Sequence, residues 1–126
     1  MTKILIAEDE RDIRELIAFS LQELGKFNVV LATNGLEAVE RATQEIPDVI
    51  LMDVRMPRMT GYDACKILKE HDATKSIPVV FLSAKGQDEE IQQGLAAGAE
   101  EYILKPFAPD ELVNQVRGVL KRLGKA

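Results

Sequence analysis

A single cysteine, Cys65, leaves no partner for an internal disulfide. That excludes the stapled scaffolds of small secreted proteins and fits the cytoplasm. The one histidine, His71, has no neighbour in sequence that would make it catalytic, and it reads as a surface residue near a helix end. Basic residues are outnumbered, 16 against 21 acidic, for a net charge of −5. That argues against direct nucleic-acid binding, which needs a basic face. No apolar run approaches the ~20 residues of a membrane helix. The first apolar run breaks at once on Glu8-Asp9-Glu10, so no signal peptide is expected. Low-complexity stretches and linkers are missing too. From Met1 to Gly124-Lys125-Ala126 the chain reads as one domain, residues 1–126, with no room for a second.

What is present is a globular mix, 46% apolar and 29% charged. Its organising stretch is Asp48-Val49-Ile50-Leu51-Met52-Asp53. Four apolar residues in a row mark a short strand covered on both faces, as in a parallel sheet. Met56-Pro57 and Gly61 then turn the chain into a helix. Asp53 therefore stands at the carboxyl edge of a sheet, where open α/β folds bind ligands. It is a candidate nucleophile or metal ligand; the plainer alternative is an aspartate that caps the next helix.

Other elements follow the same alternation. Lys3 to Ala7 reads as strand 1. Helix 1 carries Ile13, Leu16, Ile17, Leu21 and Leu24 at helical spacing and closes at Gly25. Phe27 to Ala32 is strand 2, and Asn34-Gly35 a turn. Helix 2 has Ala38, Val39, Ala42 and Ile46 on one face and stops at Pro47. Helix 3 runs from about Gly61 to His71, with Cys65 and Leu68 inward. Strand 4 is Pro78 to Leu82, ending on Ser83-Ala84. Helix 4 places Ile91 and Leu95 on its apolar face, with Gly98 as its C-cap. Strand 5, Tyr102-Ile103-Leu104, ends at Lys105-Pro106. Pro109 opens helix 5, with a stripe of Leu112, Val113, Val116, Val119, Leu120 and Leu123. Five strands alternating with five helices predict a doubly wound, flavodoxin-like α/β fold: a parallel sheet of strand order 2-1-3-4-5.

In that order strands 1 and 3 are neighbours. Glu8, Asp9 and Asp53 then crowd one pocket, and like charges so close need neutralising. A hard cation such as Mg²⁺, an oxygen-seeking ion, does this. Ser83 and Lys105 complete the edge. The set suits phosphoryl transfer: Asp53 as nucleophile, and Glu8, Asp9 and the Arg55 carbonyl on the metal. Lys105 pairs with the phosphoryl group and the Ser83 hydroxyl bonds one of its oxygens. Two other classes fit less well. A flavin carrier needs a hydroxyl- and glycine-rich loop after strand 1, where Glu8-Asp9-Glu10 would repel phosphate, and aromatics to flank the ring, which are only 5% of the chain. Aspartate-nucleophile phosphatases place the nucleophile after strand 1 with a second aspartate two residues on; here that residue is Arg11.

Glu8-Asp9, Asp53, Met56-Pro57 with Gly61, Ser83-Ala84, Tyr102 and Lys105-Pro106-Phe107 occur in order along the whole chain. In these marks the chain resembles the response-regulator receiver family of two-component regulatory systems, with its CheY-like single-domain members. The resemblance implies a phosphoprotein rather than a turnover enzyme. Its Asp53 would accept phosphate, with Mg²⁺, from a sensor histidine kinase or a histidine phosphotransfer protein, as in a phosphorelay. It also implies a switch in which Ser83 and Tyr102 move and the face of helix 4, strand 5 and helix 5 takes up a downstream protein target. The expected state is a monomer or a phosphorylation-dependent dimer, in the cytoplasm, with no membrane or direct nucleic-acid partner. Glu8 and Ser83 depart from the commoner Asp and Thr but keep the functional groups; the extra methylene of Glu8 suggests contact with the metal through water. The plain alternative for Tyr102 is an edge residue with its hydroxyl in water. Arg55 and Lys85 read either as residues overhanging the phosphoryl group or as solvated cations. Glu100-Glu101 are expected to pair with Arg117 or Lys121.

Overall fold

Strands and helices alternate along a computed structural model that describes residues 2–84, 88–105 and 108–125, the side chains of residues 84, 88–91, 104 and 105 excepted. The elements are β1 (Lys3–Ala7), α1 (Arg11–Phe19), a π-helical segment (Ser20–Leu24), β2 (Asn28–Ala32), α2 (Gly35–Glu45) and β3 (Val49–Asp53). Then come α3 (Gly61–Glu70), β4 (Val79–Ala84), α4 (Asp88–Ala96), β5 (Glu101–Lys105) and α5 (Pro109–Arg122). The sheet has five strands in the order β2-β1-β3-β4-β5, every pair parallel. This is the architecture expected from the apolar runs. Sequence reading and structure differ only in local detail.

Alternate residues of each strand feed two cores. Ile4, Ile6, Leu51, Val80, Leu82 and Ile103 point to α1 and α5, where Ile17, Leu21, Leu112, Val116 and Leu120 meet them. Leu5, Ala7, Ile50, Met52, Val79 and Phe81 point the other way, to Ala38, Ala42, Ala64, Cys65, Leu68 and Ala97. The alanines of the second face lie where α2 comes close to β1 and β2 and packs against α3. Each fully buried Leu or Ile contributes about 1.5–3 kcal/mol of transfer free energy, so β1 and β3 anchor the fold.

Helix 1 departs from its predicted course. From Ser20 the helix widens to π geometry, with the Gly25 N–H donating to the Ser20 carbonyl at 3.2 Å. The Ser20 hydroxyl donates back to the Leu16 carbonyl at 2.7 Å, a bond that bends helices. The wider turn changes the phase of the stripe only after Ser20; Leu16 belongs to the regular turns before it. Ile17 and Leu21 stay buried, while Leu16 and Leu24 are exposed. Gly25 is right-handed, not a left-handed cap; a Cβ there would stand 2.6 Å from the Phe27 ring.

Asn34-Gly35 is not a free turn but the start of α2. The Asn34 Oδ1 accepts the Glu37 N–H at 2.8 Å, and the Glu37 carboxylate accepts the Thr33 N–H at 3.2 Å and its hydroxyl at 3.1 Å. This is a reciprocal cap. Ile46 lies beyond α2, with φ +43, and is exposed rather than on the apolar face. Pro47 disfavours helical backbone at the residue before it. Leu95 is also exposed, and Gly94 instead faces Phe81. Gly98, with φ +104, closes α4 as the sequence suggests. Glu100 pairs with Lys69 at 3.5 Å and Glu101 with Arg122 at 2.6 Å. These are neither of the two expected partners, Arg117 and Lys121; Arg117 turns instead to the carbonyls of Leu24 and Gly25.

Cys65 is buried, and its S–H donates to the Ala97 carbonyl at 3.4 Å. Burial pushes the thiol up to about 11; Lys69 pulls it down and Glu100 adds to the rise. Since the thiolate is the reactive form, a thiol reagent at pH 8 should modify Cys65 only as fast as the protein opens. Complete labelling within the mixing time under native conditions would contradict this placement.

Candidate functional site

The site forms where β1 and β3 leave the sheet side by side. Ala7 pairs with Met52, so Glu8 and Asp53 emerge next to one another. Among the described residues, Glu8, Asp9 and Asp53 each present a carboxylate oxygen, and these oxygens lie within 4.8 Å of one another. Glu8 is fully buried, Asp53 half-buried and Asp9 exposed. The cluster is therefore floored by Glu8 and open to water at Asp9.

Local structure explains the placement. The Glu8 N–H donates to the Ala32 carbonyl at 3.1 Å, which ties the end of β1 to the end of β2. A Glu8 carboxylate oxygen accepts the Glu10 N–H at 3.2 Å, holding the side chain back against its own loop. Arg14, one turn into α1, donates to the carbonyls of Glu8 at 2.9 Å and Asp9 at 3.2 Å. The Asp53 Oδ1 accepts the Val54 N–H at 3.0 Å.

Residues 54–60 then connect β3 to α3. Val54 and Met56 are buried in the core beside α2 and α3. The Gly61 N–H donates to the Val54 carbonyl at 2.8 Å, and the Met59 N–H to the Pro57 carbonyl at 2.7 Å. Arg58 takes positive φ, +68. The loop is thus pinned at both ends and carries exposed Arg55, two residues after Asp53.

Ser83 is buried at the end of β4, one residue beyond the Asp53–Leu82 pair. It shares a narrow crevice with Phe81, Gly94, Leu95, Ala99 and Tyr102. Tyr102 is half-buried on β5, opposite Phe81 in register, and packs against the core beside α3. Ser83 and Tyr102, read from the sequence as a pair, therefore adjoin one another. Lys105 ends β5 opposite Ala84; its side chain lies outside the described residues, as do Lys85, Pro106 and Phe107 and the side chain of Ile91. His71 is exposed just past α3 and takes no part. The sequence reading missed Arg14 and the start of α2. A basic residue one turn into the helix after an acidic triplet was the available signal for the first.

The donor set is made of hard oxygens, three carboxylates, which fits Mg²⁺ rather than a thiolate- or imidazole-seeking metal. A doubly wound α/β domain with a carboxylate cluster at its switch point holds that cluster where open parallel sheets bind ligands. Comparison with known proteins is more specific. The model of the response regulator receiver domain matches residues 4–117. The phosphate regulon transcriptional regulatory protein PhoB of Klebsiella pneumoniae is 41% identical over 121 residues, 96% of this chain and 52% of that protein. The chain spans about half the length of the curated relatives it matches. Among solved structures, the chemotaxis response regulator CheY4 of Vibrio cholerae superimposes with a TM-score of 0.88 at 35% identity, covering 95% of this chain and 99% of that one. The receiver domain of sensor histidine kinase PA1611 from Pseudomonas aeruginosa, described with a magnesium ion coordinated in its active-site cleft, gives a TM-score of 0.83 at 30% identity, with 96% and 95% covered. The chain belongs to the response regulator receiver domain family.

Proposed function

We propose that residues 1–126 form one receiver domain that works as a phospho-accepting switch, with Asp53 as the acceptor. The observation that carries this reading is the convergence of Glu8, Asp9 and Asp53 at the carboxyl edge between β1 and β3. Glu8, Asp9, Asp53 and the Arg55 carbonyl would hold Mg²⁺. When bound, the ion offsets the carboxylate charge and that of the incoming phosphoryl oxygens.

One carboxylate oxygen of Asp53 attacks phosphorus and forms an O–P bond. The donor's bond to phosphorus breaks, and its electron pair stays with the leaving group. For a phosphohistidine of a sensor kinase or phosphotransfer protein, the leaving group is an imidazole, which takes up a proton. Ser83 donates its hydroxyl to a phosphoryl oxygen, and Lys105 pairs with another. No turnover follows beyond slow hydrolysis of the acyl phosphate, so the chain is substrate and switch rather than enzyme.

The output follows from the crevice shared by Ser83 and Tyr102. Drawing Ser83 toward the phosphoryl group empties space beside β4, and the Tyr102 ring moves inward. Packed interfaces of this kind have discrete states rather than a continuum. The face of α4, β5 and α5 then takes up a downstream protein target, or a second copy as a phosphorylation-dependent dimer. The proposed setting is the cytoplasm. Among the described residues no helix is long and apolar enough to cross a membrane.

Intact mass tests the chemistry directly. After incubation with Mg²⁺ and a small acyl phosphate, one phosphoryl adduct is expected; with a chelator in place of Mg²⁺, none. An adduct formed equally well without the ion would overturn the role given to the cluster.

A further inference from the structure

Gly35 begins α2 with φ outside the left-handed range, so any residue can adopt its backbone. Helix propensity alone would favour alanine there. Space forbids it. A Cβ on Gly35 would stand 2.1 Å from the Met59 carbonyl oxygen and 2.7 Å from its carbon. Those are backbone atoms of the 54–60 loop and cannot rotate aside. The start of α2 cannot yield easily either, since Thr33, Asn34 and Glu37 cap it reciprocally.

Contact at Gly35 joins the two halves of the cation site. On one side, the Ala32 carbonyl, just before the cap, accepts the Glu8 N–H. On the other, Met59 belongs to the loop that follows Asp53 and carries Arg55. We propose that Gly35 is a positioning residue for the cation, setting the spacing between Glu8 and Asp9, just past β1, and the loop after β3. The inference rests on the reading of the cluster as a Mg²⁺ site. Ordinary packing would make Gly35 matter for stability alone; positioning makes it matter for which ion fits.

The two roles separate in a titration of the unphosphorylated protein with Mg²⁺ alone and with Ca²⁺ alone, followed by calorimetry. Mg²⁺ demands near-octahedral ligands at about 2.0–2.1 Å, whereas Ca²⁺ accepts looser sets at about 2.3–2.6 Å. Gly35→Ala should weaken Mg²⁺ by about tenfold, the scale seen when groups that orient metal ligands are altered, and Ca²⁺ by much less. Gly118→Ala, where a Cβ meets nothing within 4 Å, should leave both unchanged. If Gly35→Ala does not fold, Asn34→Ala releases the start of α2 without adding an atom to the contact, and the same shift in the Mg²⁺ to Ca²⁺ ratio is expected. An unchanged ratio in the variant that folds would overturn the inference. A wild-type protein that binds neither ion would instead overturn the reading of the site beneath it.

Discussion

Asp53→Asn is expected to lose the phosphoryl adduct completely while keeping its fold. The amide is nearly the size and shape of the carboxylate, and its oxygen can still accept the Val54 N–H that the Asp53 Oδ1 accepts at 3.0 Å. What it lacks is the anionic oxygen that attacks phosphorus. A neutral amide is a far poorer nucleophile, and it removes one of three charges from a cluster whose oxygens lie within 4.8 Å. Mg²⁺ affinity should therefore fall as well, by about tenfold or more. Intact mass reads the first effect and calorimetric Mg²⁺ titration the second; circular dichroism verifies the fold. An adduct retained on the variant would move the acceptor to another side chain, with Asp9 and Glu8 the nearest carboxylates.

Leu51→Ala, two residues earlier on the same strand, is expected to do the reverse. Leu51 is fully buried at the centre of β3, between Ile6 on β1 and Val80 on β4, in the same buried layer as Ile17, Val116 and Leu120. Truncation leaves a cavity in a layer built from both ends of the chain, and such changes cost about 2–5 kcal/mol. For a domain of this size that lowers the melting temperature on the order of 10 °C. The carboxyl edge is formed by residues beyond the cavity, so the folded fraction should still take up phosphate. Thermal unfolding together with intact mass would show both. A loss below about 1 kcal/mol would mean that the layer closes over the gap more readily than packed cores usually do.

Much of the fold and the cluster was legible because both depend on runs and alternation. Lys3 to Ala7 and Val49 to Asp53 are apolar runs ending in carboxylates, and a parallel sheet has to place those ends together. What was not legible depends on contacts between distant segments. The outward turn of Leu24 follows the wide turn that opens at Ser20, whose hydroxyl bonds back within the helix; the apolar spacing carries no trace of it. Asn34-Gly35 has the composition of a turn, yet Glu37 and Thr33 make it a helix start. Ile46 fits the helical stripe by spacing, but Pro47 decides its backbone. Arg117 was expected to seek carboxylates and instead caps carbonyls 92 and 93 residues away. Side chains with several acceptors in reach choose by geometry, which only the assembled fold supplies.

The layer beneath α1 and α5 has a consequence for how the protein is made. Its members run from Ile4 to Leu120, so the ribosome releases the first of them long before the last. The strands beside α2 and α3 can assemble early, since Leu5, Ile50, Ala64 and Phe81 all belong to that layer. Until α5 emerges, Ile4, Ile6, Leu51 and Leu82 have only α1 to cover them. A nascent chain halted before Pro109 therefore carries one finished face and one greasy, unfinished one. Completion waits for the last helix, and with it the tether from Arg117 to the end of the first.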